Sequence, residues 1–348
     1  MVKIGIVGIG FMGWIHYLAY QKVPTARLTA ICTRDPKKLA GDWRGIQGNF
    51  GPPGEQVDLS HVARYAELNE LLASPDVDLV DICLPPDLHL DAALRAFRAG
   101  KHVFIEKPLA LNADEGQAIA AAAAKAGRQL LVGQVLPFFN EYAYARELIV
   151  SGRYGRLLGG HFRRIISDPL WLKDFYDPRK VGGPLIDLHV HDAHYIRLLF
   201  GMPSAVTCQG RMRGEVVEFC NSQFRFADPA LVVSASSGVI NQQGRPFTHG
   251  FEIHLEKATL LYDLALIAGH DARLTPLTIF DSDGQAITPD LGDGDPTRAF
   301  AAEIAEAVRS VEGGTPSEIL RGDLACDALV LCQAQAESAR TGLPVAIP

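Results

Sequence analysis

The opening run KIGIVGIGFMG constrains the fold of this chain more than any other stretch. A strand-length aliphatic segment, Lys3–Val7, leads directly into Gly8-Ile9-Gly10-Phe11-Met12-Gly13, and the helix-compatible FMGWIHYLAYQ follows. Alone, G-x-G-x-x-G is compatible with any tight turn. Between a strand and a helix it is the dinucleotide fingerprint, in which glycines let backbone approach a pyrophosphate at the unpaired N–H groups of the helix start.

The same alternation continues to about residue 135. RLTAICT, VDLVDICL, KHVFIE and RQLLVG are of strand length, and between them LHLDAALRAFRAG and ADEGQAIAAAAAKAG read as helices stopped by Gly100 and Gly127. Repeated βα units predict a doubly wound parallel sheet, a Rossmann-type domain over residues 1–135. The glycine- and proline-rich segment 41–56 reads as a surface loop. Beyond residue 155, LLGGHFRRII, AVTCQGRMRG, EVVEFCNSQFRF, ALVVSASSGVI and GFEIHLEKATLLYD follow one another without helices, and two helical stretches close the chain. Residues 136–348 therefore read as an α+β substrate-binding and oligomerisation domain on a mainly antiparallel sheet.

Charge and cysteine usage narrow the function classes. A net charge of −7 without a dense Lys/Arg run argues against nucleic acid. Six cysteines without a C-x-x-C pair fit neither a zinc knot nor a disulfide framework. The N-terminus lacks the look of a signal peptide, and no apolar run reaches membrane-spanning length, so the expectation is a cytoplasmic protein with no membrane partner.

In the dinucleotide fingerprint an acid about 20 residues beyond the glycines binds the ribose of NAD. Here that place holds Thr33 and Arg34, while Asp35 precedes Pro36 and reads as a helix cap. A hydroxyl beside a guanidinium suits a 2′-phosphate, so the reading leans to NADP, although Arg34 stacking on adenine would serve NAD equally. Glu106-Lys107-Pro108 ends the strand KHVFIE, where such sheets place ligands, and Pro108 biases Lys107 to extended backbone. From these residues alone, Lys107 is a donor to a substrate oxygen or a surface partner of Glu106.

The stretch GGPLIDLHVHDAHYIRLLFG, residues 182–201, concentrates Asp187, His189, His191, Asp192 and His194. On a helix Asp187, His191 and His194 share a face; on a strand Asp187, His189 and His191 would align. The continuation to Gly201 favours the helix. No further Cys or His motif supplies additional ligands at recognisable spacing, so no metal is expected, and proton transfer is the preferred reading for His191.

The glycine loop, CLPPDLHLDAALRAFRAGKHVFIEKPLAL at 83–111, and the D-x-x-x-H spacing of Asp187 and His191 together resemble the Gfo/Idh/MocA oxidoreductases. The resemblance implies a Rossmann domain, a C-terminal domain on a large open sheet, and NAD(P)-linked oxidation or reduction of sugars and cyclitols. It puts the catalytic Lys at Lys107 and the catalytic Asp and His at Asp187 and His191. Cofactor contacts are expected from Gly8, Gly10, Phe11, Met12, Gly13, Thr33, Arg34, Leu84, Pro85, His89, Glu106 and Lys107. Substrate contacts are expected in a crevice between the domains from Arg163, Asp168, Trp171, Lys173, Tyr176 and His194. Departures from the family pattern are Leu84-Pro85-Pro86 for T-P-N, Pro137 for Arg, Asn140 for Pro, and His194 where Asp is frequent. A partner copy is expected to cover apolar surface on the open sheet, giving a homo-oligomer. Two other classes fit the same motifs: a glycosidase that keeps its NAD bound, and a non-catalytic dinucleotide sensor.

Overall fold

Strands β1 (Val2–Val7), β2 (Ala26–Cys32), β3 (Ala63–Tyr65), β4 (Leu79–Ile82), β5 (His102–Glu106) and β6 (Leu130–Gly133) make one sheet in the order β3-β2-β1-β4-β5-β6. Every pair in it is parallel. This computed structural model describes residues 1–270, 272–292 and 294–347. Parallel strands are covered on both faces and so read as unbroken apolar runs; Ile4, Ile6, Leu79, Val80, Ile82, Val103, Phe104 and Ile105 are wholly buried. Each full burial of an aliphatic or Phe side chain contributes about 1.5–3 kcal/mol. The strand order reverses between β1 and β4, which puts the ligand-binding end of the sheet at their carboxyl termini.

Helices α1 (Phe11–Tyr20), α2 (Pro36–Leu39), α3 (Leu68–Ala73), α4 (His89–Arg98) and α5 (Ala113–Ala126) connect these strands. Their ends follow local chemistry. Asp35 caps α2 by accepting from the Lys37 N–H at 2.9 Å, and Asn112 caps α5 by accepting from the Glu115 N–H at 2.9 Å. Gly127 ends α5 in the left-handed conformation that favours glycine. Segment 41–56 differs from the surface loop expected. It buries Trp43 and Ile46, its Pro52 carbonyl accepts from Trp14 Nε1 at 2.8 Å, and Phe50 meets Phe11 edge-on at 4.8 Å. Its glycines permit this contact, since a Cβ on Gly48 would collide with the Phe11 ring.

The second sheet follows α6 (Asn140–Val150) and runs through β7 (Leu157–Ser167), β8 (Ala205–Arg213), β9 (Val216–Arg225), β10 (Val232–Ile240), β11 (Phe247–Leu255), β12 (Ala258–Leu266), β13 (Arg273–Asp281), β14 (Ala286–Ile287) and β15 (Val345–Ala346). Its order is β14-β13-β12-β11-β7-β10-β9-β8-β15, antiparallel except for the β7/β10 pair. GFEIHLEKATLLYD, read as one strand, is a hairpin that turns at Glu256 and Lys257. Helix α7 (Val190–Phe200) packs on one face. On the other face the expected apolar surface is polar at its centre, where Thr207, Gln223, His161 and Glu252 stand exposed in register.

The chain divides into Met1–Phe139 with Asp295–Cys326, and Asn140–Gly294 with Asp327–Pro348. A division at 135/136 does not provide for the return of α8 (Pro296–Gly313), which packs on α1 and buries Phe300 and Ile304 in the first core. Helix α9 (Gly322–Thr341) begins in the first unit and ends in the second. Among the described residues no helix is long and apolar enough to cross a membrane.

Candidate active site

The glycine loop joins β1 to α1, and each glycine has its own reason. Gly8 has φ +95°, and a Cβ there would lie 2.6 Å from the Cys83 carbonyl oxygen. At Gly13 a Cβ would lie 2.2 Å from the Gly8 carbonyl oxygen, so the helix could not start so close to the strand. Gly10 meets nothing within 4 Å. It caps α1 without any side-chain hydrogen bond, leaving the first N–H groups of the helix for an anion. Close backbone packing at two glycines and open space at the third fit a dinucleotide pyrophosphate. Phe11 and Met12 are half-buried beside this opening.

At the end of β2 the Thr33 N–H donates to the Tyr65 carbonyl at 3.1 Å, and Arg34 is exposed. The Asp35 carboxylate is occupied in capping α2, so the nearest carboxylate to Arg34 in the chain is turned to a helix start. Leu84 is half-buried and Pro85 exposed after β4. His89, expected as a cofactor contact, has both ring nitrogens turned to backbone carbonyls. It is wholly buried, with Nδ1 2.9 Å from the Pro108 carbonyl oxygen and Nε2 2.8 Å from that of Leu84. The ring ties the segment after β4 to the segment after β5 and has no atom left for a ligand.

Lys107 is half-buried at the end of β5, and its peptide bond to Pro108 is cis. Glu106 is buried beneath it: Oε2 accepts from the Lys107 backbone N–H at 3.1 Å, and Oε1 lies 2.9 Å from His16 Nε2. Both carboxylate oxygens of Glu106, expected as a cofactor contact, are thus engaged within the protein.

In the second unit Leu185–His189 forms a π-helical turn that runs into α7. Such turns close hydrogen bonds i→i+5, and inside α-helices they occur often at functional sites. The helix expected over this stretch is therefore only partly α, and the ideal shared face breaks at the junction. Asp187 and His191 are half-buried, whereas His194 is 1% exposed and His189 equally so. His194, expected to reach substrate, lies inside the fold. Arg164 of β7 anchors α7 from below, with Nε and Nη2 donating to the Asp192 carboxylate at 2.7 and 3.2 Å in a fully buried pair. Cutting one partner from such a pair strands a buried charge, which typically costs 3–5 kcal/mol.

Strand alternation sends Arg163 to the face opposite Arg164 and hence away from α7; it pairs there with Asp263. Asp168 is buried, accepting from Tyr176 Oη at 2.9 Å and from Arg213 Nη1 at 2.7 Å, while the Arg213 guanidinium lies 3.8 Å over the Tyr176 ring. That cluster braces the segment after β7. Trp171 is 73% exposed and Lys173 is also exposed. Of the six expected substrate contacts, Trp171 and Lys173 are the exposed residues, and Arg163 is half-exposed in its ion pair. Among the described residues the one group of His, Cys and carboxylate atoms close enough to share an ion is His16, Asp81 and Cys83, in the first unit rather than on α7.

Buried imidazoles under the second sheet make stability depend on pH. Burial, reinforced by Arg164, holds His249 well below the usual histidine range, and Tyr142 Oη lies 3.0 Å from its Nδ1. Burial also lowers His189, whose Nε2 faces Gln335 Nε2 at 2.9 Å. A base whose pKa is depressed on folding takes up its proton at a higher pH in the unfolded chain than in the native one. The stability this preserves is complete above about pH 6.5 and falls on acidification by up to about 1.4 kcal/mol per pH unit per group until the folded pKa is reached. Urea unfolding at pH 7.5 and 5.5 is expected to show this loss, and His249→Gln should reduce the difference by about one group's share. An unchanged difference would mean that His249 titrates normally.

Residues 2–134 match the family described as "Oxidoreductase family, NAD-binding Rossmann fold", and residues 142–261 match the "GFO/IDH/MocA C-terminal domain". The chain belongs to the Gfo/Idh/MocA oxidoreductases. Among relatives of this Gfo/Idh/MocA protein, inositol 2-dehydrogenase of Rhizobium meliloti (strain 1021) is 27% identical over 322 residues, spanning 90% of this chain and 89% of the relative. The 1,5-anhydro-D-fructose reductase of Ensifer adhaerens is 28% identical over 263 residues, 72% of this chain and 74% of the relative. A levoglucosan dehydrogenase solved with NADH and levoglucosan superposes with a TM-score of 0.79 at 22% identity, covering 100% of this chain and 99% of that one. At that identity the likeness speaks for the fold.

Proposed function

We propose that this oxidoreductase moves a hydride between a nicotinamide dinucleotide and a CH–OH carbon of a sugar, cyclitol or related polyol. The observation that carries the reading is the uncapped α1 terminus at Gly10, open to a ligand and following β1 of the sheet whose strand β5 ends at Glu106, next to Lys107. Relatives named for inositol and anhydro-sugars support the substrate class. Gly8–Gly13, Thr33 and Arg34 would hold the dinucleotide, which when bound would supply the hydride acceptor. Lys107 Nζ donates a hydrogen bond to the alcohol oxygen and stabilises its developing negative charge. The His191 imidazole takes the hydroxyl proton, and the Asp187 carboxylate orients His191 or a neighbouring hydroxyl. Reduction uses the same groups in reverse.

A panel of sugars, cyclitols and glycosides with both cofactors tests this. Net change at the reduced-nicotinamide absorbance is the expected result; glycoside cleavage without it would identify a redox-neutral glycosidase, and binding without turnover a sensor.

Arg34, exposed beside Thr33 and followed by Lys37 and Lys38, further suits a 2′-phosphate. NADP should bind at least as well as NAD, and Arg34→Ala should weaken NADP by about tenfold or more, the value of a lost charge-assisted hydrogen bond, with NAD little changed. Titration of both cofactors checks this. A preference for NAD that Arg34→Ala leaves intact would remove the 2′-phosphate argument.

A further inference from the structure

Beneath Lys107 lies a buried cluster that the mechanism above does not use. His16 of α1 is wholly buried, with its ring stacked 5.5 Å from Phe104. Its Nδ1 is 2.8 Å from Asp81 Oδ2 and its Nε2 2.9 Å from Glu106 Oε1. Cys83 Sγ lies 3.3 Å from Nδ1 and 3.5 Å from Asp81 Oδ1. Glu303 of α8 and Tyr20 of α1 complete the surroundings and are fully buried. Burial, with Glu106 beside it, pushes the Glu303 carboxyl well up.

Ionised carboxylates only accept hydrogen bonds, so a ring that faces one at each nitrogen must carry both protons. His16 is then an imidazolium bridging two carboxylates. Burial opposes that charge, and Asp81 and Cys83 more than offset it, raising His16 well above the usual histidine range. The Nδ1–H then meets Asp81 and the Nε2–H meets Glu106, while the Cys83 thiol donates to Asp81 Oδ1. The Glu106 carboxylate is consequently held at both ends, by His16 through Oε1 and by the Lys107 N–H through Oε2.

We propose that His16 is a positioning residue for Lys107, its imidazolium fixing the Glu106 carboxylate that in turn holds the Lys107 backbone at the end of β5. The proposal rests on the reading of Lys107 as the group that meets the substrate oxygen. Near-attack geometry tolerates little error, and a displacement of about 1 Å can cost about 10²-fold in rate. Gln at position 16 approximates the size of the ring but offers no positive charge and cannot meet both carboxylates.

The test combines an activity-independent readout with a double-mutant cycle. His16→Gln should speed hydrogen exchange at the Lys107 amide by at least about tenfold while unfolding stays cooperative. It should lower kcat by about tenfold or more, leaving the Michaelis constant for the cofactor within about twofold. In a Lys107→Ala background it should lower kcat no further, because residues acting as a unit are not additive. Should His16→Gln fail to fold, Glu106→Gln, which keeps the size and removes the charge, must show the same exchange and the same non-additivity. Unchanged exchange at Lys107, additive losses, or stoichiometric bound metal that disappears with His16→Gln would overturn the proposal. If Lys107→Ala keeps full activity, the catalytic reading of Lys107 fails, whereas the exchange result still decides whether His16 governs that backbone.

Discussion

His191→Ala is expected to lower kcat for alcohol oxidation by about 10²–10⁴, the range for loss of a general base. The decisive signature is in the pH profile. Oxidation by the parent should rise with pH through the histidine range, because only the neutral imidazole can accept the hydroxyl proton, and the variant should lose that rise. His191 stands half-buried on α7, which Arg164 and Asp192 clamp to the sheet, so removing its side chain should leave the helix in place. Circular dichroism and cofactor titration should therefore match the parent. If the pH limb survives in His191→Ala and vanishes in the Lys107 variant, the roles of the two residues are exchanged.

Lys107→Ala should lower kcat by about a hundredfold or more with little change in cofactor affinity, since a donor to the developing oxyanion acts in the transition state. The parent's pH limb should remain. Steady-state kinetics across pH, with cofactor dissociation constants measured on the same preparations, separates this outcome from a binding defect. A raised Michaelis constant with unchanged kcat would make Lys107 a binding group instead. Arg at this position keeps a charge but replaces a compact ammonium by a planar fork, so Lys107→Arg should rescue only part of the loss.

What the linear chain reveals is what depends on neighbours a few residues apart. The aliphatic runs, the stops at Gly100 and Gly127, the cap at Asp35 and the glycine loop all follow from local periodicity or backbone geometry. The parallel sheet follows from their alternation. The Lys107, Asp187 and His191 assignments came from motif resemblance, and the structure adds that all three side chains are half-buried. Two further local signals lie in the sequence: a carboxylate at Asp81 inside the apolar strand LVDI requires a buried partner, and Arg163 next to Arg164 on a strand requires that one of them point inward.

Contacts between residues far apart decided the remainder. His16, Asp81, Glu106 and Glu303 come from α1, β4, β5 and α8, and no spacing rule joins them. The return of α8 to the first core, the burial of Trp43 in a glycine-rich loop, the π-helical turn at Asp187 and the enclosure of His89 and His194 are of the same kind. Periodicity reports which face of an element is apolar, whereas the partner of each polar side chain is chosen by packing. Burial makes an unpartnered polar group costly, so the fold must bring those distant groups together, and only the folded chain shows which ones meet.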